Sequence, residues 1–166
     1  IHARCIGRSS LHQKMWKNTL LLAHQRFYVS EFVRRSWENS SSPLPKSRVV
    51  HSICELSELS PLPAAERKGF VFVARWIENK GVDVLVEAYA RSQLNTEQWP
   101  LRLLGDGPLR PRIHSRLKEL GLEGKVHAPG FLSELQKAEC IRRSRFAVIP
   151  PNTQEDFGLV PLEARH

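Results

Sequence analysis

Residues 69–93 read GFVFVARWIENKGVDVLVEAYARSQ, and they contain a strand signal, a polar loop and a helix signal in succession. The apolar run GFVFVA has the length and the β-branched content of a buried strand. After the polar loop RWIENKG, apolar residues recur at helical spacing, at Val82, Leu85, Val86 and Tyr89. This stretch therefore predicts a buried strand followed by an amphipathic helix.

The same alternation continues along the rest of the chain. Strand signals lie in PLRLLGDG, KVHAPG and RFAVIP, and helix signals lie in PLRPRIHSRLKELG, SELQKAECIRRS and the residues from Gly158 onward. Gly121 is expected to end the second helix, and Ser133 with Gln136 forms a capping-box pattern before the third. Alternating strands and helices with short connections predict an α/β fold, a Rossmann-like parallel sheet flanked by helices.

The residues before position 69 lack this regular alternation. RFYVS and RVVHSI are strand candidates, Ser30 can cap a helix through EFVRRSWE, and NSSSPLPKS has the composition of a linker. The chain begins without Met, and PLEARH stops where a helix signal starts. We therefore expect a segment of a longer protein, incomplete at both ends.

The charge and the cysteine content indicate which partners and which cellular setting to expect. Lys and Arg outnumber Asp and Glu by 25 to 17, and residues 1–68 carry 11 of these cations against 5 anions. Such an excess can attract an anionic membrane surface or a nucleic acid, although spaced charges are more often a solvated face. No apolar run approaches the roughly 20 residues of a membrane span, so any membrane contact is expected to be peripheral. The three cysteines are far apart and odd in number, which favours a reducing, cytoplasmic setting.

Candidate ligand-binding residues follow the predicted strands, because ligands of open parallel sheets bind where the carboxyl ends of the strands meet. Arg75 and Lys80 follow the first strand, and Gly81 opens the next helix. Two cations beside a helix N-terminus suit a phosphate or diphosphate, although such residues alone are more often solvated. Gly105 and Gly130 follow the next two strands and permit either close approach of a ligand or a tight turn.

The segment EDFGLVPLE, residues 155–163, places two glutamates on either side of seven residues. Glu155 falls in the loop after RFAVIP, and Glu163 falls in the first turns of the next helix. Gly158 lets the chain bend between them, so that Glu163 can accept hydrogen bonds from a vicinal diol such as a ribose. Two such glutamates are often incidental; their combination with cations and glycine turns at one sheet edge indicates a nucleotide site.

Several other classes of site have no support in the sequence. No GxGxxG follows a strand, and no Walker A motif is present, so a dinucleotide fingerprint and a P-loop are absent. The seven histidines are scattered without HExxH or metal-ligand spacing. We therefore predict no metal site.

Four segments, in order along residues 69–166, resemble the retaining, nucleotide-sugar-dependent glycosyltransferases of the GT-B fold, of the group 1 or family-four type. VARWIENKGVDVLVEAYA resembles the family's Gly/Ala-Arg…Lys-Gly segment, and LRLLGDGP resembles its Gly-x-Gly-Pro strand end. VHAPGF resembles its Gly-Phe turn, and PNTQEDFGLVPLEA resembles its Glu-x7-Glu motif. The resemblance implies that residues 1–47 are the tail of an N-terminal acceptor domain with the interdomain crossover. Residues 48–166 would be a truncated C-terminal nucleotide-sugar-binding domain.

The resemblance also implies a role for each matched residue. Arg75 and Lys80 would bind the donor diphosphate and stabilise the leaving group, and Glu155 would contact the transferred sugar. Glu163 would bind the ribose hydroxyls. The other donor-binding residues that it implies are Gly105, Gly130 and Phe131 at the strand ends, and Phe157, Gly158 and Leu159 beside the sugar and the β-phosphate.

For the reaction, the resemblance implies a UDP-, GDP- or ADP-linked sugar donor, a retained anomeric configuration and no metal or other cofactor. The acceptor is a glycan, a lipid or a small molecule, and nucleic acid is not an expected partner. The segment alone is expected to be inactive. Three other hypotheses stay open: a catalytically silent scaffold or partner subunit, a nucleic-acid-binding module that uses the basic N-terminal stretch, and a sugar-nucleotide epimerase of the same fold. The sequence departs from the family at His51-Ser52-Ile53, and at Asn152, where Ser is common.

Overall fold

The structure, a computed structural model, describes residues 15, 18–19, 21–38, 44–53, 59–152 and 158–165. The chain divides into two compact units, residues 1–53 and residues 54–166. The predicted boundary between residues 47 and 48 falls inside a strand of the first unit. The assignment of the two parts to an acceptor domain and a donor domain stays a prediction.

Among the described residues from position 26 to position 53, the first unit forms a strand, a helix and a second strand. Strand β1 (Arg26–Tyr28) pairs in parallel with β2 (Ser47–Val49), and helix α1 (Glu31–Glu38) lies between them in sequence. The Val33 amide donates a hydrogen bond to Ser30 Oγ at 3.1 Å, which confirms the predicted cap of α1.

A buried ion network stabilises this first unit. Arg34 is only 1% exposed, and its guanidinium pairs with Glu31 at 2.5 Å and with Glu38 at 2.9 Å. Glu38 also accepts hydrogen bonds from the Leu44 amide at 3.0 Å and from the Ser47 hydroxyl. A buried charge is tolerated only when it is paired and hydrogen-bonded. The network therefore fixes α1 against the residues that lead into β2.

The described residues of the second unit form four strands, four α-helices and one short 3-10 helix. The strands are β3 (Phe70–Val73), β4 (Leu101–Leu104), β5 (His127–Gly130) and β6 (Phe146–Ala147). The helices are α2 (Val82–Ser92), α3 (Arg110–Glu119), α4 (Glu134–Arg143) and α5 (Val160–Arg165), and the 3-10 helix is Glu78–Lys80.

The four strands form one parallel sheet in the order β5-β4-β3-β6. Phe70 at the start of β3 lies opposite Leu101 of β4 and Phe146 of β6. Because the strands are parallel, their carboxyl ends all lie at the same edge of the sheet. The predicted α/β class with a parallel sheet is confirmed.

Both faces of the two central strands, β3 and β4, are buried. Neighbouring residues on a strand point to opposite faces, and both members of the pairs Val71–Phe72 and Leu103–Leu104 are at most 2% exposed. Burial on both faces is expected of a parallel sheet covered by helices. The main core cluster contains Phe72, Trp76, Val82, Leu85, Val86, Tyr89, Leu101, Leu103, Ile113, Leu117, Leu122 and Val126.

The predicted helix ends are also confirmed. The Gln136 amide donates to Ser133 Oγ at 3.3 Å, and the Ser133 amide donates to Gln136 Oε1 at 3.1 Å, which completes the capping box of α4. After α3, Gly121 takes a left-handed conformation with φ of +66°, and the Leu122 amide returns to the Leu117 carbonyl at 2.8 Å. This pattern closes the helix at its C-terminus.

Substitutions at two glycines with nearly the same φ can show how closely the backbone packs at the start of β3. We expect Gly69→Ala to lower the free energy of unfolding more than Gly121→Ala, although φ is +68° at one and +66° at the other. A Cβ on Gly69 would lie 1.9 Å from the Pro100 carbonyl oxygen, whereas nothing lies within 4 Å of a Cβ on Gly121. The left-handed backbone costs either variant about 1–2 kcal/mol. The clash arises in Gly69→Ala alone, and we expect its total loss to exceed about 3 kcal/mol.

Urea denaturation of both variants and the wild type measures these losses. Equal losses in the two variants would contradict the close approach of Gly69 to Pro100.

Candidate functional site

The predicted site residues collect at the carboxyl edge of the sheet. The loops that follow β3, β4, β5 and β6 begin at residues 74, 105, 131 and 148, and the parallel pairing places all four at this edge. Arg75 and Lys80 lie in the first loop, Gly105 in the second and Phe131 in the third. The structure therefore brings the predicted donor-binding loops that follow β3, β4 and β5 to one side of the second unit.

The loop after β3 lies directly against the loop after β6. A Cβ on Gly81 would come within 2.0 Å of the Pro150 carbonyl oxygen, so only glycine permits this approach. Asn152 donates from its side-chain amide to the Glu78 carbonyl at 2.9 Å and from its backbone amide to the Asn79 carbonyl at 3.3 Å. Asn152, where the sequence departs from the family, thus anchors the 3-10 helix that carries Lys80.

The two predicted phosphate-binding cations differ in exposure. Arg75 is exposed just after β3, whereas Lys80 is half-buried as the last residue of the 3-10 helix. Gly81 is the N-cap of α2 and supplies no side-chain cap. The first amides of α2 therefore have no side-chain acceptor at the N-cap, and they lie next to Lys80 in the chain.

Backbone contacts fix the loops after β3, β4 and β5 to one another. The Gly105 amide donates to the Gly130 carbonyl at 2.9 Å, and a Cβ on Gly105 would lie 1.9 Å from the Ala74 carbonyl oxygen. The Trp76 amide donates to the Asp106 carbonyl at 2.8 Å. Glycine is therefore required at position 105 because the loop after β4 approaches the loop after β3 too closely for a Cβ. This packing requirement exists in addition to the predicted contact with a ligand.

Trp76 and Arg110 are two residues whose positions the sequence did not predict. Trp76 lies in the polar loop after β3, yet it is 0% exposed, and its ring centroid lies 6.0 Å from that of His114. Arg110, the first residue of α3, pairs with Asp106 at 2.7 Å. Its guanidinium also lies over Gly130, within 2.6 Å of where a Cβ would be.

Glu163 lies in the first turn of α5, where a lysine of another helix contacts it. Its side chain is 18% exposed, and Oε1 lies 3.1 Å from Nζ of Lys137 on α4. Glu163 Oε2 is buried, and no hydrogen-bond partner for it exists among the described residues. The predicted role of Glu163, to accept hydrogen bonds from a diol, stays a prediction, and Lys137 already contacts one of its two oxygens.

The charge of Lys137 is maintained by two carboxylates. Burial lowers its pKa, but hydrogen bonds to Glu134 and Glu163 outweigh that effect, and the net shift of the Lys137 pKa is upward. Lys137 therefore stays cationic. No pattern in the sequence indicated this residue, because its partner lies 26 residues away.

Of the remaining predicted site residues, some lie in the part of the chain that the structure describes and two lie outside it. Phe131 is 83% exposed immediately after β5, so its ring is available to a ligand. Gly158 has φ of +76°, and the Leu159 carbonyl accepts hydrogen bonds from the first turn of α5. Glu155 and Phe157 lie outside the described residues, and their roles stay predictions.

Two searches for other kinds of site cover the described residues only. In that part of the chain, no group of three His, Cys, Asp or Glu side chains is placed to hold a metal ion. Within the same residues, no helix is both long and apolar enough to cross a membrane. The expected independence from metal stays a prediction.

Comparison with known proteins identifies relatives of this chain. A family model described as glycosyl transferases group 1 matches residues 60–165. Over 104 residues the chain is 31% identical to an exopolysaccharide phosphotransferase of Streptomyces coelicolor, a match that covers 63% of this chain and 11% of that protein. Over 98 residues it is 30% identical to an alpha-D-kanosaminyltransferase of Streptomyces kanamyceticus, which covers 59% of this chain and 25% of that protein. The matches thus span about a tenth to a quarter of these two relatives.

Solved structures share the fold. Anabaena HepE, in complex with UDP and glucose, superposes with a TM-score of 0.73 at 20% identity, over 94% of this chain and 47% of that chain. S. aureus TarM, in a complex that contains UDP, gives a TM-score of 0.70 at 16% identity, over 99% of this chain and 32% of that chain. At these identities the likeness shows the fold, which is that of the GT-B glycosyltransferases.

The ion pair at the start of α3 leads to a pH-dependent prediction. The Gly107 amide, which donates to Asp106 at 2.7 Å, and then the Arg110 guanidinium hold the pKa of the Asp106 carboxyl below its ordinary value. A group with a lowered folded pKa stabilises the fold above its unfolded pKa, and this contribution is lost as the pH falls through the folded pKa. Arg110→Met should therefore raise the Asp106 pKa part of the way back and move that loss to higher pH.

Carboxyl-carbon NMR titration of Asp106 measures this shift. Arg112→Met, which removes an exposed cation from the same helix, is the control and should leave the Asp106 pKa unchanged. An Asp106 pKa that is the same in Arg110→Met and the wild type would contradict the ion pair.

Proposed function

This chain belongs to the glycosyl transferases group 1 family, and on that premise we propose that it moves a sugar from a nucleoside diphosphate to an acceptor with retention of the anomeric configuration. The observation that carries the proposal is the Glu163 carboxylate, with one oxygen paired to Lys137 and the other buried without a partner among the described residues. A buried acceptor that lacks a donor costs about 1–3 kcal/mol. A ribose hydroxyl of the donor would supply the missing hydrogen bond.

The diphosphate of the donor would bind beside the start of α2. Arg75 and Lys80 would supply positive charge there, together with the amides of the α2 N-terminus, which have no side-chain cap. The contact of Asn152 with the Glu78 carbonyl supports this placement, because it holds the 3-10 helix next to the loop that leads toward Glu155. Charge neutralisation by these groups is our reason for proposing a reaction that needs no divalent cation.

The reaction would break the bond between the anomeric carbon and the diphosphate oxygen. The bonding electrons pass to the diphosphate, which gains negative charge, and the acceptor hydroxyl forms the new bond to the anomeric carbon. Arg75 and Lys80 would stabilise the diphosphate more in the transition state than in the ground state, and only such a difference accelerates a reaction. For retention, the acceptor attacks from the face that the diphosphate leaves, and a departing phosphate oxygen takes the acceptor proton. Glu155 would contact the transferred sugar without acting as a nucleophile.

The base of the nucleotide would lie near the end of β5. Phe131 offers an exposed aromatic face there, and the Arg110 guanidinium lies over the backbone of the neighbouring Gly130. UDP-sugars come first among the candidate donors, because UDP is named in the complexes of Anabaena HepE and S. aureus TarM. GDP- and ADP-sugars follow.

A thermal-shift panel on the full-length protein tests the proposal at its first step. UDP, GDP, ADP and their sugar conjugates are added in turn, and one of them should raise the melting temperature, since a ligand that binds only the folded state stabilises it. A catalytically silent scaffold would show no rise with any of them. A sugar-nucleotide epimerase would bind the donor but would convert its sugar without releasing the nucleoside diphosphate.

Glu163→Ala is expected to weaken binding of the donor and of the free nucleoside diphosphate alike. Loss of a hydrogen bond to a charged group costs about 1.5–3 kcal/mol, which raises the dissociation constant by about tenfold or more. Isothermal titration of the full-length protein measures this constant. Lys118→Ala is the control, because Lys118 is an exposed residue near the far end of α3. Unchanged affinity in Glu163→Ala would remove Glu163 from the site.

Arg75→Ala and Lys80→Ala are expected to act mainly on turnover. Removal of one transition-state charge contact lowers kcat by about 10²–10³-fold. Initial rates of nucleoside diphosphate release in the full-length protein, with saturating donor, measure the change. If kcat were unchanged in both variants while KM rose, these residues would bind the donor without stabilising the leaving group.

A further inference from the structure

Lys137 lies between two carboxylates that differ in exposure. Its Nζ is 2.6 Å from Glu134 on its own helix and 3.1 Å from Glu163 Oε1 on α5. The Glu134 side chain is 85% exposed, whereas those of Lys137 and Glu163 are 19% and 18% exposed. Solvent screens the first pair strongly and the second much less. Lys137 is therefore paired with one exposed carboxylate on its own helix and one mostly buried carboxylate on α5.

Glu163 receives a contact from outside its own helix. Lys137 lies on α4, which has ten residues and a complete capping box. The Lys137–Glu163 pair thus attaches the first turn of α5 to a well-capped helix.

The pair also makes the two carboxylate oxygens of Glu163 different for a ligand. A lysine ammonium only donates hydrogen bonds, so its contact uses one acceptor position of Glu163 Oε1. Glu163 Oε2 is left buried with no partner among the described residues. A hydroxyl donor from a ligand would complete the hydrogen bonding of the carboxylate.

A third consequence of the pair is electrostatic. A nucleoside diphosphate is an anion, and an unpaired carboxylate beside it would repel it. The ammonium of Lys137 offsets the charge of Glu163 without occupying Oε2. The carboxylate can then accept a neutral hydroxyl while an anionic group binds nearby.

We propose that Lys137 is a positioning residue for ribose recognition: it fixes Glu163 Oε1 and offsets its charge, so that Oε2 accepts a hydroxyl of the donor ribose. This inference rests on the proposed function of Glu163 in donor binding. It adds Lys137, a residue on another helix, as the group that controls how strongly the site prefers a ribose over a 2′,3′-dideoxyribose.

The test compares ribose recognition in Lys137→Met with that in the wild type. Isothermal titration of the full-length protein measures the affinities for UDP, GDP and ADP and for their 2′,3′-dideoxy analogues. We expect the wild type to prefer the ribose form of its nucleotide by about tenfold or more. In Lys137→Met this preference should fall below about threefold through loss of affinity for the ribose form. The KM for the donor should rise while kcat changes little.

Two further variants separate positioning from a general structural effect. Lys137→Arg keeps a cationic donor and should restore most of the ribose preference. Arg116→Met removes a similar interhelical ion pair, in which Arg116 on α3 contacts Glu87 on α2 at 2.5 Å and 3.1 Å. It should keep the full preference, because this pair contains none of the predicted donor-binding residues. If Lys137→Met does not fold, Lys137→Gln takes its place and should also lose preference.

The other possible outcomes show whether the role of Lys137 or the proposed function of Glu163 is wrong. A wild type that prefers the ribose form, with an equal preference in Lys137→Met or Lys137→Gln, would overturn the role of Lys137 and leave the proposed function intact. An equal loss of affinity for both nucleotide forms would also overturn it, because a merely structural residue acts in that way. A wild type that binds no nucleotide, or binds both forms equally, would overturn the proposed function of Glu163 and this inference with it.

Discussion

The parallel pairing of β3 with β4 and β6 is the constraint on which the rest of the second unit depends. It places Phe70 level with Leu101 and Phe146 at the start of the three strands, so their carboxyl ends meet at one edge. Residues that are far apart in the chain become neighbours there. Because both faces of β3 are buried, the sheet also provides a rigid base for the loops.

The loops at this edge are held by backbone contacts more than by side chains. Gly105 approaches the Ala74 carbonyl, Gly107 approaches the Trp76 carbonyl, and Gly81 approaches the Pro150 carbonyl, each too closely for a Cβ. Rigid loops that carry cations suit an anionic ligand, because the charges need little reorganisation when it binds.

The sequence predicted the elements well, because their signals are local. The helical spacing of Val82, Leu85, Val86 and Tyr89 and the capping box at Ser133 each depend on a few neighbouring residues. The structure also contains pairs that no local pattern records, such as Lys137 with Glu163 and Asn152 with the Glu78 carbonyl, which are 26 and 74 residues apart. The polar neighbours of Trp76 predict an exposed loop at this position. Trp76 is buried because the loop after β4 approaches it, and the Asp106 carbonyl accepts its amide hydrogen bond. The predicted roles of Glu155 and Phe157 concern residues outside the described part of the chain.

The central claim is that this edge of the sheet binds a nucleoside diphosphate through Glu163 on one side and the loop after β3 on the other. A crystal structure of the full-length protein, soaked with the nucleotide that raises its melting temperature most, tests that claim most directly. Electron density should place the diphosphate beside residues 75–82 and a ribose hydroxyl within hydrogen-bond distance of Glu163 Oε2. Density for the nucleotide at any other surface of the second unit, with Glu163 Oε2 still without a partner, would contradict the claim.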